Sequence, residues 1–288
     1  MAGVTHNEFA GDRGGNIART QELQPPARRG ARVQKWPQSL WLVRHGQSAG
    51  NVAREAAIAA QQAQIDITTR DVDTPLSLLG EQQALTLGRW FARLPTELKP
   101  TALLCSPYAR AASTAHLIVQ AGGFDANELS IHHDERLREK EFGILDRLTS
   151  FGIQEHYPQL AEQRAHVGKF YFRPPGGESW CDVLLRLRSV IDTLTREHRQ
   201  ERVLIIAHQV IVNCFRYLLE RLDEKAILDI DRQADVPNCG VTSYEYDASA
   251  GQHGKLVLKL VNFVAPLEEA GTPVTHTPDL PTHKDAGA

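Results

Sequence analysis

The chain has 288 residues, 42% of them hydrophobic and 23% charged, with 32 Lys and Arg against 35 Asp and Glu. This suits an ordinary globular protein with ample core, and the near-neutral balance excludes a general attraction to nucleic acid or to an anionic membrane, so any anion-binding charge must be local. No apolar run reaches bilayer-spanning length and the first residues lack a secretory apolar core; Cys105, Cys181, Cys214 and Cys239 form no C-x-x-C pair, so reduced thiols in a cytoplasmic protein are expected.

Residues 1–36 carry Gly, Arg, Gln and Pro without apolar periodicity and read as a flexible tail. Its cluster Arg28, Arg29, Arg32 and Lys35 is either simply solvated or a partner contact. Pro37 introduces a buried strand, Leu40-Trp41-Leu42-Val43, which breaks into the polar turn Arg44-His45-Gly46-Gln47-Ser48-Ala49-Gly50-Asn51. In open α/β sheets ligands sit beyond the carboxyl ends of strands. A neutral imidazole there can attack phosphorus while Arg44 fixes the phosphoryl oxygens, and Gly46 lets the backbone turn tightly and approach the ligand. Residues 52–64 have helix-forming composition, and the acidic loop 66–75 follows them; this segment either borders the site entrance or is plain surface.

Ser77 is placed to cap a helix reaching about Leu94, with Ala84, Leu87, Phe91 and Leu94 on one face and Pro95 ending it. The next strand, 101–105, leads into Ser106-Pro107-Tyr108-Ala109-Arg110-Ala111-Ala112-Ser113-Thr114-Ala115, where an arginine at the start of a helix suits an anion. His132 and His133 lack a third ligand at a suitable spacing, so a loop pair is expected rather than a metal site. A charge run, 134–143, comes next. Residues 144–173 are the least regular stretch and read as an excursion covering the site. There Lys169, Tyr171 and Arg173 either meet the distal, anionic part of a substrate or are ordinary surface residues. Ser179 and Asp182, in capping-box spacing, start a helix whose apolar residues Trp180, Val183, Leu184, Leu187, Val190, Ile191 and Leu194 face the sheet. A third buried strand, 203–207, ends in His208, and an apolar helix occupies 211–222. Strand composition recurs at 241–246 and 255–263, paired through the turn 247–254, and a second tail is expected from Pro266.

Four of these features stand in the order found in the histidine phosphatase superfamily, which includes the cofactor-dependent phosphoglycerate mutases. They are Arg44-His45-Gly46 after an apolar strand, S-P-x-x-R-A-x-x-T-A at 106–115, L-x-E-x-x-x-G at 137–143, and the histidine closing a strand at 208. The chain resembles that family over about residues 38–246. The resemblance implies one three-layer α/β domain over 37–265, a mostly parallel sheet flanked by helices. It implies His45 as nucleophile, with Arg44, Arg110 and His208 holding the transferring oxygens and Asn51 adding a neutral hydrogen bond. Glu139 becomes the general acid, with Glu141 as the alternative. Gln209, where a glycine is usual, and the stretch 169–180 resemble the bisphosphatase branch acting on fructose 2,6-bisphosphate, although Asn213 stands where that branch has an arginine; Gln209, one residue beyond His208, is placed to hydrogen-bond the distal part of a substrate.

The expected function is a phosphomonoesterase that needs no metal or other cofactor and works through a phosphohistidine on a small phosphorylated metabolite. A cofactor-dependent phosphoglycerate mutase, a protein phosphatase of the same fold and an inactive binding module are the alternatives. Neither a nucleic acid nor a membrane partner is expected, and the oligomeric state is left open between monomer and dimer.

Overall fold

The structure is a computed structural model and describes residues 34–125 and 129–277. The basic cluster at 28–32 and residues 278–288 lie outside the described residues. In chain order the elements are β1 (Ser39–Arg44), α1 (Ala49–Ala59), α2 (Leu78–Arg93), β2 (Ala102–Cys105), α3 (Ala109–Gly122), β3 (Ile131–His133), α4 (Ser150–His156), α5 (Pro158–Val167), α6 (Trp180–Glu197), β4 (Arg202–Ala207), α7 (Gln209–Glu220), α8 (Glu224–Gln233), β5 (Val241–Asp247), β6 (Lys255–Phe263) and α9 (Ala265–Glu269). The six strands form one sheet in the order β3-β2-β4-β1-β5-β6. Strands β3, β2, β4 and β1 run parallel, and β5 is antiparallel to both of its neighbours. This is the single α/β domain with a mostly parallel sheet that the sequence led us to expect.

Side-chain alternation along the central strands builds two cores. Leu40, Leu42, Val203 and Ile205 point to one face and meet α6, α7 and α8 through Leu187, Ile211 and Ile227. Trp41, Val43, Leu204 and Ile206 point to the other and meet α2 and α3 through Leu87, Phe91, Ala115 and Ile118. The hairpin β5–β6 extends the sheet beyond β1, as its composition suggested.

Several local expectations need correction. Helix α1 starts three residues earlier than composition suggested, because Ser48 and Asn51 form a reciprocal capping box on the turn itself. The excursion 144–173 is more regular than expected: it holds α4, α5 and a small apolar cluster of Leu145, Leu148 and Phe172. No residue of α5 is buried, so its sequence carries no apolar stripe to betray it. His132 and His133 lie on edge strand β3 rather than in a loop, and His132 Nε2 meets Ser130 Oγ at 2.8 Å. Residues 266–277 do not behave as a tail, since α9 buries Leu267 in the second core and the chain runs on across the carboxyl edge of the sheet to Thr277. Among the described residues no helix is long and apolar enough to cross a membrane.

Candidate active site

Parallel register assembles the site. Strands β2, β4 and β1 are adjacent, with Cys105 opposite Ile206 and Arg44 opposite Ala207. The residues immediately after each strand, Ser106, His208 and His45, therefore emerge side by side. Two backbone bonds tie these ends together, His45 N–H to Ala207 O at 2.9 Å and Ser106 N–H to Ile206 O at 3.0 Å. Helices α3 and α7 begin here without a side-chain cap, which leaves the positive ends of their dipoles beside the site.

His45 is fully buried, and its Nδ1 lies 2.7 Å from Gly46 O. A carbonyl can only accept, so the proton sits on Nδ1 and the Nε2 lone pair is presented to the site. Arg110, in the first turn of α3, donates from Nε to that Nε2 at 3.3 Å. Arg44 is also fully buried and is held by two carbonyls, donating to Val236 O at 2.6 Å and to Thr277 O at 2.8 Å. The His208 ring stands 5.1 Å from that of His45, and its Nε2 meets Ser106 Oγ at 2.8 Å. Burial, then the neighbouring Arg110, His45 and Arg44, holds the His208 imidazole well below its ordinary pKa, which favours the neutral ring. The close approach that requires Gly46 is to protein: a Cβ there would stand 2.4 Å from Gly80 O, where the turn after β1 crosses the start of α2.

Glu139 and Asn51 line a cavity of about 50 Å³ together with Arg110, Asp71, Arg54, Phe142, Asp146 and Arg147. Glu139 is buried and takes the backbone N–H of Lys140 at 2.8 Å. Glu141 lies outside the cavity lining and accepts from Tyr108 Oη at 2.8 Å. Gln209 is buried and donates to Asp235 Oδ1 at 2.8 Å, with its own Oε1 unsatisfied. The three proposed specificity residues sit elsewhere. Lys169 is drawn into an ion pair with Asp231, Arg173 pairs with Asp182 at the start of α6, and Tyr171 is exposed beside Phe170. Each has found a local partner, and none lines this cavity.

Sequence reading missed the supports around the turn that follows β1. Thr114 accepts the Gly46 N–H at 3.1 Å and donates to Arg110 O at 2.7 Å; with Ser106 it belongs to the second motif, which was the available signal. Asn238 donates to His45 O at 3.0 Å and accepts from Thr275 Oγ1 at 2.8 Å, and nothing in the sequence marked it. Asp71 and Arg54, from the segment 52–75 that was read as either bordering the site entrance or plain surface, line the cavity. Among the described residues no group of three or more His, Cys, Asp or Glu is placed to hold a metal ion.

Comparison with known proteins places these features in a family. The model described as histidine phosphatase superfamily (branch 1) matches residues 40–258. A Caenorhabditis elegans 6-phosphofructo-2-kinase/fructose-2,6-bisphosphatase is 30% identical over 224 residues, covering 75% of this chain; the match spans only 43% of that enzyme. A Salmonella paratyphi C protein named probable phosphoglycerate mutase is 28% identical over 210 residues, 73% of this chain and 86% of the relative. Among solved structures, the alpha-ribazole phosphatase from Shigella flexneri superposes with a TM-score of 0.61 at 20% identity, covering 78% of this chain and 96% of that one. The mycobacterial glucosyl-3-phosphoglycerate phosphatase does so with a TM-score of 0.57 at 22% identity, covering 80% and 99%.

Proposed function

Because the chain belongs to the histidine phosphatase superfamily, branch 1, we propose that it hydrolyses phosphate monoesters of small metabolites through a phosphohistidine on His45. The observation that carries this reading is the presentation of His45 Nε2 beside Arg110 at the ends of three parallel strands, with Glu139 lining the adjoining cavity. In the first step Nε2 attacks phosphorus in line, the bond to the ester oxygen breaks, and protonated Glu139 gives its proton to the departing alkoxide. In the second step the Glu139 carboxylate takes a proton from water as the water oxygen attacks the phosphohistidine. The N–P bond then breaks and inorganic phosphate leaves. Arg44, Arg110 and His208, with Asn51, hold the transferring oxygens, so the charge stabilisation comes from the protein's own side chains.

Substrate selection falls to the groups beyond the phosphoryl position. Arg54 and Arg147 in the cavity wall suit a second anionic or hydroxylated part, and Ile65, Ile67 and Phe142 exclude water beside it. We place the activity in the cytoplasm, in keeping with four free cysteines.

Rapid quench with labelled substrate should trap an acid-labile, base-stable phosphoenzyme in the parent protein and none in His45→Ala. Glu139→Gln should slow esters with poor leaving groups by roughly two to four orders of magnitude while largely sparing nitrophenyl phosphate. Full activity in His45→Ala removes the mechanism. A requirement for a bisphosphorylated primer with little phosphate release assigns the same residues to a mutase instead.

A further inference from the structure

Arg110 meets the site already holding a carboxylate. Its Nη1 contacts Asp71 Oδ1 at 3.0 Å and its Nη2 contacts Oδ2 at 3.3 Å, while Nη1 also donates to the Asp71 carbonyl at 2.7 Å. With Nε on His45 Nε2, every nitrogen of the guanidinium is engaged. A carboxylate spread over both Nη atoms occupies the fork that two phosphoryl oxygens would take. The two partners are not equally held. The Arg110 side chain is 6% exposed and that of Asp71 41%, so the carboxylate can swing into water while the arginine stays.

We propose that Asp71 is an internal competitor for the phosphoryl group at Arg110, a deepening that rests on the phosphatase reading above. Substrate binding is then an exchange of one anion for another on the same guanidinium. The backbone bond from Nη1 to the Asp71 carbonyl does not depend on the carboxylate and keeps Arg110 aimed during the exchange. The same residue also lines the cavity. Ile65, Ile67, Thr69 and Asp71 form one of its walls. That segment is tied to the far wall by Arg147, which donates to Ile67 O and Thr69 O at 3.3 and 3.2 Å and accepts the Ile65 N–H on its own carbonyl at 2.9 Å. An incoming phosphoryl dianion outcompetes a single carboxylate on charge, whereas a weakly charged ligand does not, so the exchange also selects for the dianion. Apparent affinity is reduced by the fraction of molecules in which Asp71 occupies the fork.

The test is calorimetric titration of the full chain with tungstate and with inorganic phosphate, so that binding is read without turnover. Asp71→Asn keeps the size and the backbone bond and removes the charge. It should tighten both anions by about three- to tenfold at low salt, with the gain shrinking as salt rises because the Asp71 carboxylate is partly exposed. Asp73→Asn removes the same charge two residues away, where Asp73 pairs with Arg70, and should leave both affinities unchanged. Asp71→Ser, should the Asn variant unfold, carries the same expectation. Unchanged or weaker anion binding in the Asp71 variants, beside a parent protein that binds and hydrolyses, overturns the competitor alone, as does an equal gain in Asp73→Asn. A parent protein that binds neither anion overturns the phosphatase reading and the competitor with it.

Discussion

At the scale of single residues, the charge state of His208 bears on the proposed binding of an anion. Burial beside two arginines and a second imidazole favours its neutral form. A bound dianion supplies the opposite charge and raises its pKa, so binding should draw in a proton. Tungstate titrations near pH 7.5 in two buffers of different ionisation enthalpy should reveal this uptake, and His208→Gln should show none. The same variant should lose about two to three orders of magnitude in turnover, the usual effect of removing one transition-state donor. Stability follows the same linkage. The unfolded chain binds a proton at His208 near the ordinary value of 6.5 and the folded chain does not, so stability falls as pH drops through that value. His208→Gln should flatten that part of the pH–stability curve, as read by denaturant unfolding at pH 5.5 and 7.5.

At the scale of elements, the segment after α9 supports the turn that follows β1. Gln83 donates to Pro273 O at 2.9 Å, Asn238 donates its backbone N–H to Thr275 O at 3.0 Å, and Arg44 donates to Thr277 O at 2.8 Å. Gln83, Asn238 and Arg44 are all fully buried, so removing their acceptors strands polar groups away from water. Deleting residues 271–288 should therefore cost about 2–4 kcal/mol in denaturant unfolding and lower kcat, because Asn238 also holds the His45 carbonyl. Asn238→Ala should reproduce part of both losses. A truncated protein of unchanged stability and kcat would show that β1 alone orients Arg44 and His45.

At the scale of the molecule, a sheet with two covered faces makes two cores that share strands but few side chains. Ile118 on α3 and Ile211 on α7 are both fully buried, one on each side. Ile118→Val and Ile211→Val should each cost about 0.5–1.5 kcal/mol. The double variant should show the sum within roughly 0.5 kcal/mol, since the two sites share no partner. A larger discrepancy in equilibrium unfolding would mean that the central strands transmit strain from one face to the other. Such coupling would matter for function, because these strands carry His45, Ser106 and His208 at their ends.

The sequence by itself determined what depends on local chemistry and periodicity. Apolar runs ending in Arg44-His45, Ser106 and His208 announced parallel strands delivering polar residues to one edge. Ser77 and the Ser179–Asp182 box announced where α2 and α6 begin, because a cap is satisfied within its own turn. Only the tertiary structure decided which charges are spent on one another. Lys169 and Arg173, read as either substrate contacts or surface charge, stand beside Asp231 and Asp182, one distant in sequence and the other within a cap. Asp71 and Asn238 looked unremarkable because their partners, Arg110, His45 and Thr275, lie tens to hundreds of residues away. The physical reason is the same throughout: a strand, a cap or an apolar stripe is specified by neighbours in the chain, whereas an ion pair or a buried hydrogen bond depends on how distant segments meet in space.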